Sequence, residues 1–238
     1  MKPVNYHKSF EYDASALKFS GIWLEATKKQ PLWHRIYSIV ILGLFIYPIN
    51  FLTLVEWYFS INDVKMFASM SHLVMECYMA QFKAMVMIRQ KRECDRLITM
   101  MNDDYFQPRN PDEMNIVLKE VLNQYGVLKR YTSFIGMGAV FLIIVFPVYI
   151  GSNLTPIRTW YPFDIHLTPL LFKIVFVHQS IAVWTIGIVN VFGEFVITGF
   201  LNFTGLQFDL LSFRIEHMTK YTGDELKEIV LNHRRILE

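Results

Sequence analysis

Residues 36–57 read IYSIVILGLFIYPINFLTLVEW, and no charged side chain occurs from Ile36 to Leu54. A helix of about 20 residues, rising about 1.5 Å per residue, crosses the ~30 Å hydrocarbon layer of a bilayer. This stretch has the length and the apolar content for that crossing. Pro48 predicts a kink, which a membrane helix tolerates. Trp57 and Tyr58 are the amphipathic rings expected at a membrane–water interface. The block starts too far into the chain, and runs too long, to be the core of a cleaved signal peptide. It reads as an uncleaved first span, preceded by a polar, mixed segment, residues 1–35.

The rest of the chain repeats the pattern. The 238 residues are 53% hydrophobic and 16% aromatic, with mean hydropathy +0.28. Only 18% are charged, below the roughly 25% of a soluble domain. The apolar residues fall in long blocks separated by charged stretches, as in membrane spans. Further spans are expected at residues 64–88, 131–150 and 169–203. A stretch at 89–130, a loop at 151–168 and a helical segment at 204–238 lie between and after them. The predicted fold class is an all-α membrane protein: a transmembrane helix bundle with a cytosolic N-terminus and cytosolic helical extensions.

The second span is the least apolar. Its polar residues Lys65, Ser69, His72, Glu76 and Lys83 share one narrow helix stripe. That stripe predicts a face turned to protein or to a water-filled cavity, because charge within lipid is costly. An amphipathic helix lying on the membrane surface is the rival reading. In the fourth span Gln179, Asn190 and Glu194 share a face and predict a second polar seam. For the N-terminal segment, a short amphipathic helix around Ser15–Leu24 and a flexible tail fit equally. In the middle stretch Asn110, Pro111 and Glu113 make a helix start: a cap, a proline at the first position, and a glutamate three residues after the cap. That helix is expected to run on into the third span.

Orientation follows from Lys and Arg. Six lie in residues 1–35, eight in 89–130 and five in 204–238, whereas the 151–168 loop has only Arg158. The positive-inside rule therefore places both ends and the middle stretch in the cytosol. Asn153-Leu154-Thr155 is then a possible N-glycosylation site on the outside, and the Asn202-Phe203-Thr204 sequon should stay unused. Cys77 falls within a span and Cys94 in a cytosolic stretch, which argues against a structural disulfide.

The cytosolic N-terminus is opposite to the layout of G-protein-coupled receptors. The pattern resembles the insect odorant receptor family. The resemblance rests on Lys83, Arg89 and Arg92 at the exit from span two, and on the loop Arg158-Thr159-Trp160-Tyr161-Pro162-Phe163-Asp164. It rests also on His178-Gln179 in span four, on Gln207-Phe208-Asp209-Leu210-Leu211 with Arg214-Ile215, and on His233-Arg234-Arg235-Ile236-Leu237. Each motif alone is degenerate; their order and spacing along the whole chain carry the likeness.

The resemblance implies seven helices, the last lining an ion pore, of which this chain supplies four. The chain thus reads as the front portion of a longer receptor. The implied activity is odorant-gated cation conduction at the plasma membrane, in complex with an obligatory co-receptor and without a cofactor. The implied ligand is a small, volatile, hydrophobic molecule, bound in the outer half of the membrane. Carried onto this chain, the pocket includes His72, Met75, Glu76, Met79, Phe146, Tyr149, Val177, Ile181 and Trp184. Such a site suits the ligand, since apolar burial supplies most of the affinity and methionines and aromatics adapt to its shape.

Two other readings stand beside it: a gustatory-type chemoreceptor of the same architecture, and a four-span transporter or assembly protein. His72 and Glu76, one turn apart, could begin a metal site, but the sequence offers no third ligand. No nucleophile–His–acid set, glycine-rich phosphate loop or basic nucleic-acid stripe appears, which argues against an enzyme and against nucleic-acid binding.

Overall fold

The computed structural model describes residues 4–22, 30–119, 126–151, 153–217 and 223–237. Every regular element among them is helical: α1 (His7–Phe19), α2 (Leu32–Val40), a π-helical turn (Ile41–Ile46), α3 (Tyr47–Phe59), α4 (Val64–Arg89), α5 (Lys91–Met100), a 3₁₀ turn (Asp104–Phe106), α6 (Pro111–Val117), α7 (Gly126–Ile150), α8 (Pro169–Glu216) and α9 (Gly223–Leu237). Three helical stretches are long and apolar enough to cross a membrane: Leu32–Phe59, Gly126–Ile150 and Pro169–Glu216. At about 1.5 Å per residue, the 26 residues of α4 also reach about 39 Å. The polar stripe keeps α4 below the apolarity of the other three.

Local chemistry sets the helix ends. The N-terminal segment forms α1, which ends at Phe19; the end of the helix expected around Ser15–Leu24 falls on residues 23–24, outside the described residues. Gly21, at φ +90°, takes the left-handed conformation that glycine adopts without strain. The Ile22 amide then bonds the Leu17 carbonyl at 2.8 Å and the Gly21 amide bonds that of Lys18 at 3.2 Å, which closes the helix. At the expected start of α6, the Asn110 side chain accepts from the Glu113 amide at 2.7 Å, and the Glu113 carboxylate accepts from the Arg109 amide at 2.8 Å. The expected run-on from this helix into the third span falls on residues 120–125, outside the described residues. The third spanning helix begins at Gly126, five residues before the boundary read from hydropathy. The helix that holds the fourth span continues past 203 to Glu216, within the helical segment expected after it. Residues 204–216 keep buried apolar positions at helical spacing (Leu206, Leu210, Leu211), and nothing there breaks the helix.

The first spanning stretch is one helix in three parts. Pro48 has no amide hydrogen, so the Leu44 carbonyl lacks the donor four residues on. The backbone winds wider from Ile41 to Ile46, a common adjustment at such a site. His178 of α8 supplies a partner, its Nε2 lying 2.7 Å from the Leu44 carbonyl oxygen. A carbonyl can only accept, so Nε2 carries the proton.

The chain divides into two compact units. The first gathers residues 1–12, 96–131 and 194–238. Its core is Tyr6, Phe10, Ile98, Met101, Val117, Leu206 and Leu210. The Gln107 amide grips the Val4 backbone from both sides, at 2.8 and 3.1 Å. Beside it, Arg214 meets the buried Glu113 at 2.8 Å. Burial alone would raise the Glu113 pKa. The Arg214 hydrogen bond, the Arg109 amide and both positive charges outweigh it and hold the carboxyl below its ordinary value.

The second unit holds residues 13–95 and 132–193. Here α3 and α4 form a tight hairpin. Asp63 caps α4 by accepting from the Met66 amide at 3.1 Å. Asn50 of α3, almost wholly buried, donates to Gln81 at 2.6 Å and to the Cys77 carbonyl at 3.3 Å. In this unit α7 and α8 pack through glycines. A side chain at Gly187 would overlap Val140, and a Cβ at Gly136 would come within 2.8 Å of Val191. Each helix thus contributes one glycine and, four residues on, one valine, and each valine fills the partner's notch. Such close approach of small residues is a main source of helix adhesion within lipid.

Candidate functional site

Where α7 ends and α8 begins, the second unit holds an open cavity of about 460 Å³, along which Val148, Leu154, Lys173 and Val177 are exposed. Pro147, Val148 and Gly151 line it from the end of α7, Leu154 from the loop, and Phe172, Lys173, Phe176 and Val177 from the start of α8. The volume lies within the range of small-molecule sites. Seven of these eight residues carry no polar side-chain atom; the eighth is Lys173. Gly151, at φ +66°, turns the chain out of α7. Thr168 caps α8 by accepting from the Leu171 amide at 3.2 Å. Phe172 stacks on His166 with centroids 5.4 Å apart and meets Phe176 at a tilt, 6.2 Å away, which stiffens this wall.

The loop beside the cavity is tied down at several points. Gln179 of α8 is fully buried. Its carbonyl accepts from the Ile157 amide at 3.2 Å, and its amide donates to Thr159 at 2.7 Å and to the Tyr161 hydroxyl at 3.4 Å. The Trp160 amide donates to the Leu52 carbonyl at 3.3 Å, and Arg158 pairs with Glu56 at 2.7 Å. The loop therefore sits at the same end of this unit as the close of α3.

The polar seam between spans is real and small. Asn190 of α8 donates to the Glu76 carbonyl at 3.2 Å and to its carboxylate at 3.3 Å, and accepts from Lys83 at 3.4 Å. Glu76 and Lys83 of the predicted α4 stripe thus meet α8. Lys65, Ser69 and His72 of the same stripe are exposed. Of the expected α8 seam, Gln179 holds the loop and Asn190 meets α4. Glu194 falls in the other unit and is exposed.

Of the nine residues assigned to a ligand pocket, Val177 lines the cavity. Phe146 and Tyr149 stand on α7 beside its lining residues and are exposed, as are His72, Met75, Glu76 and Met79 on α4 and Ile181 on α8. Trp184 is half-buried. Asn153 is exposed next to Leu154. Sequence reasoning missed Phe172, Lys173 and Phe176. Their signal was available, since Phe172, Phe176 and Lys173, Val177 are two i, i+4 pairs on adjacent strips of one face. Pro147, Val148 and Leu154 join them only through the turn at Gly151, which no periodicity reveals.

The described geometry is that of a helical membrane bundle with an apolar cavity at one end, and comparison with known proteins agrees. The chain is similar in structure to the insect olfactory receptor OR5 from Machilis hrabei in complex with eugenol, with TM-score 0.79 and 15% identity. It is likewise similar to a second structure of that receptor, with TM-score 0.72 and 12% identity. Both likenesses cover 98% of this chain and 64% of the receptor, so the chain spans a little under two thirds of the solved protein's length. At these identities the likeness is one of fold. A search of curated protein sequences finds no match. The family model described as 7tm Odorant receptor matches residues 63–238, from just before α4 to the last residue. With so much of its length matched, the chain belongs to the odorant receptor family.

Proposed function

We propose that this chain is the odorant-binding part of a ligand-gated cation channel subunit that works with an odorant receptor co-receptor in the plasma membrane. The observation that carries the reading is the α7–α8 cavity: about 460 Å³, almost wholly apolar, in a chain of the odorant receptor family. Burial of a small hydrophobic molecule there would gain roughly 25 cal/mol per Å² of apolar surface. A structurally similar receptor is known in complex with eugenol, a ligand of that size class.

In this reading α4 also spans the membrane, as the second of four spans, and both ends of the chain are cytosolic. Two observations support the threading. Lys and Arg are dense in residues 1–35, 89–130 and 204–238, and the 151–168 loop holds only Arg158, as the positive-inside rule expects for this threading. The 151–168 loop is bonded to the close of α3, as it would be if both lay outside. Phe146, Tyr149, Ile181, Trp184 and the α4 set of His72, Met75, Glu76 and Met79 extend the ligand surface beyond the cavity. Asn153 is then glycosylated and Asn202 is not.

The test is the full-length receptor expressed in oocytes with an odorant receptor co-receptor. Odorant-evoked cation current is expected, with Val177→Trp, which fills the cavity, raising the half-effective concentration at least tenfold. A glycosidase-sensitive mobility shift abolished by Asn153→Gln would fix the outside. A shift abolished by Asn202→Gln would overturn the orientation. No current across a broad panel of volatiles would overturn the receptor reading.

A further inference from the structure

Lys173 is the one charged residue among those lining the cavity. It stands in the second turn of α8, within a stretch apolar enough to cross a membrane. Helix electrostatics does not explain it, because a cation near the positive end of a helix gains nothing from the macrodipole. Apolar packing does not explain it either, since a leucine or methionine would serve the stem equally well. The neighbouring wall is stiff: Phe172 is held between His166 and Phe176, and the loop carrying Leu154 is anchored through Gln179. Lys173 is itself exposed, so it offers a positive group at the rim of an apolar wall. That combination is complementary to a molecule with a hydrocarbon body and a single negative head.

We propose that the α7–α8 cavity takes an apolar ligand bearing one carboxylate, such as a medium-chain carboxylic acid, with Lys173 recognising the head. This rests on the odorant-binding reading and narrows its ligand class. The hydrocarbon lies against Phe172, Phe176, Val177 and Val148. The carboxylate accepts charge-assisted hydrogen bonds from the Lys173 ammonium, which are shorter and stronger than those between neutral groups. An ester or alcohol of the same chain length fills the same apolar space and lacks the charge.

The experiment uses the full-length receptor with its co-receptor, under voltage clamp. The probes are hexanoic and octanoic acids, their methyl esters and the matching alcohols. The acids are expected to be the more potent of each set. Lys173→Met should weaken the acids about tenfold or more, the scale of a lost hydrogen bond to a charged group, while the esters and alcohols shift less than about threefold. Lys173→Arg, which keeps the charge, should retain most of the acid response, and surface labelling checks that each variant reaches the membrane. An anionic membrane lipid held by Lys173 instead would change the resting current on Lys173→Met and leave the acid-to-ester ratio untouched; that result overturns the proposal. So does a receptor that answers esters and alcohols but not acids, and the odorant reading survives that outcome. A receptor silent to every volatile overturns both.

Discussion

Gly187 of α8 seats Val140 of α7 so closely that a methyl group on the glycine would overlap the valine side chain. The reciprocal pair, Gly136 and Val191, lies one helical turn away on each helix. Within lipid there is little hydrophobic drive to hold two helices together, so backbone approach and van der Waals contact carry the joint. Gly187→Ala is expected to destabilise the receptor by about 1–3 kcal/mol through overpacking, read as a lower melting temperature in detergent. Val140→Ala made together with it should restore most of the loss, because the two changes share one contact. Additive losses would show that the glycine matters for some other reason.

Gln179 makes an equally definite claim. Its side chain bonds Ile157, Thr159 and Tyr161 from a fully buried position. Gln179→Leu keeps the bulk and removes all three bonds. The Ile157 amide, also buried, would lose its acceptor, at a cost of about 1–3 kcal/mol. The expected result is faster proteolytic cutting between residues 155 and 161 in intact cells, with little change elsewhere. An unchanged cutting rate would show that Arg158–Glu56 and the Trp160 backbone bond suffice to hold the loop.

The Glu113–Arg214 pair should behave as a buried ion pair does. Glu113 is 2% exposed and Arg214 11% at their side chains. Arg214→Met alone strands the carboxylate and should cost about 3–5 kcal/mol, whereas Glu113→Leu with Arg214→Met should recover much of it. The pH dependence has a definite sign. The folded carboxyl is held below its ordinary pKa, so its contribution is fully present above about pH 4.3 and is lost as pH falls through the lower folded value. A melting temperature that drops already between pH 7 and 5 in the wild type, and equally in the double variant, would point to other groups.

Tyr6 offers the opposite titration. Its ring meets Phe203 edge-on at 5.1 Å, and its hydroxyl is buried without a hydrogen-bond partner among the described residues. Burial, only partly offset by Arg214, pushes its pKa up to about 12. Stability from the neutral phenol is therefore present below about pH 10 and is lost as pH rises toward 12. Tyr6→Phe should leave the protein as stable or about 1 kcal/mol more stable at neutral pH, with a shallower alkaline decline. A clear loss of stability in Tyr6→Phe would mean that the hydroxyl is satisfied.

The spanning helices were legible because uncharged runs of that length have few other uses, and the α6 cap because Asn110, Pro111 and Glu113 act within one turn. The helical segment after Phe203 was legible from Leu206, Leu210 and Leu211, which repeat at helical spacing although hydropathy falls there. The glycine–valine notches escaped because they pair residues about fifty positions apart on antiparallel helices. The turn at Gly151, which no periodicity reveals, hid the contribution of Val148 and Leu154 to the cavity. The α4 stripe was visible as a pattern, yet which of its members meets a partner depends on Asn190, which lies far along the chain. Lys173 is a lone charge in an apolar run, and only its spatial neighbours give it meaning.

The wide turn at Ile41–Ile46 has a further effect. Above it the buried positions are His34 and Ile41, two turns apart; below it they are Ile46, Ile49, Asn50 and Thr53. The step from Ile41 to Ile46 is five residues, one more than ordinary winding would use. The extra residue re-phases the lower half of the span against the upper by about 100°. Deleting Gly43 would remove the surplus residue and leave an evenly wound helix with Asn50 still facing Gln81, whereas even winding with Gly43 kept would swing Asn50 away. One residue therefore decides which side of this span its lower half turns toward α4.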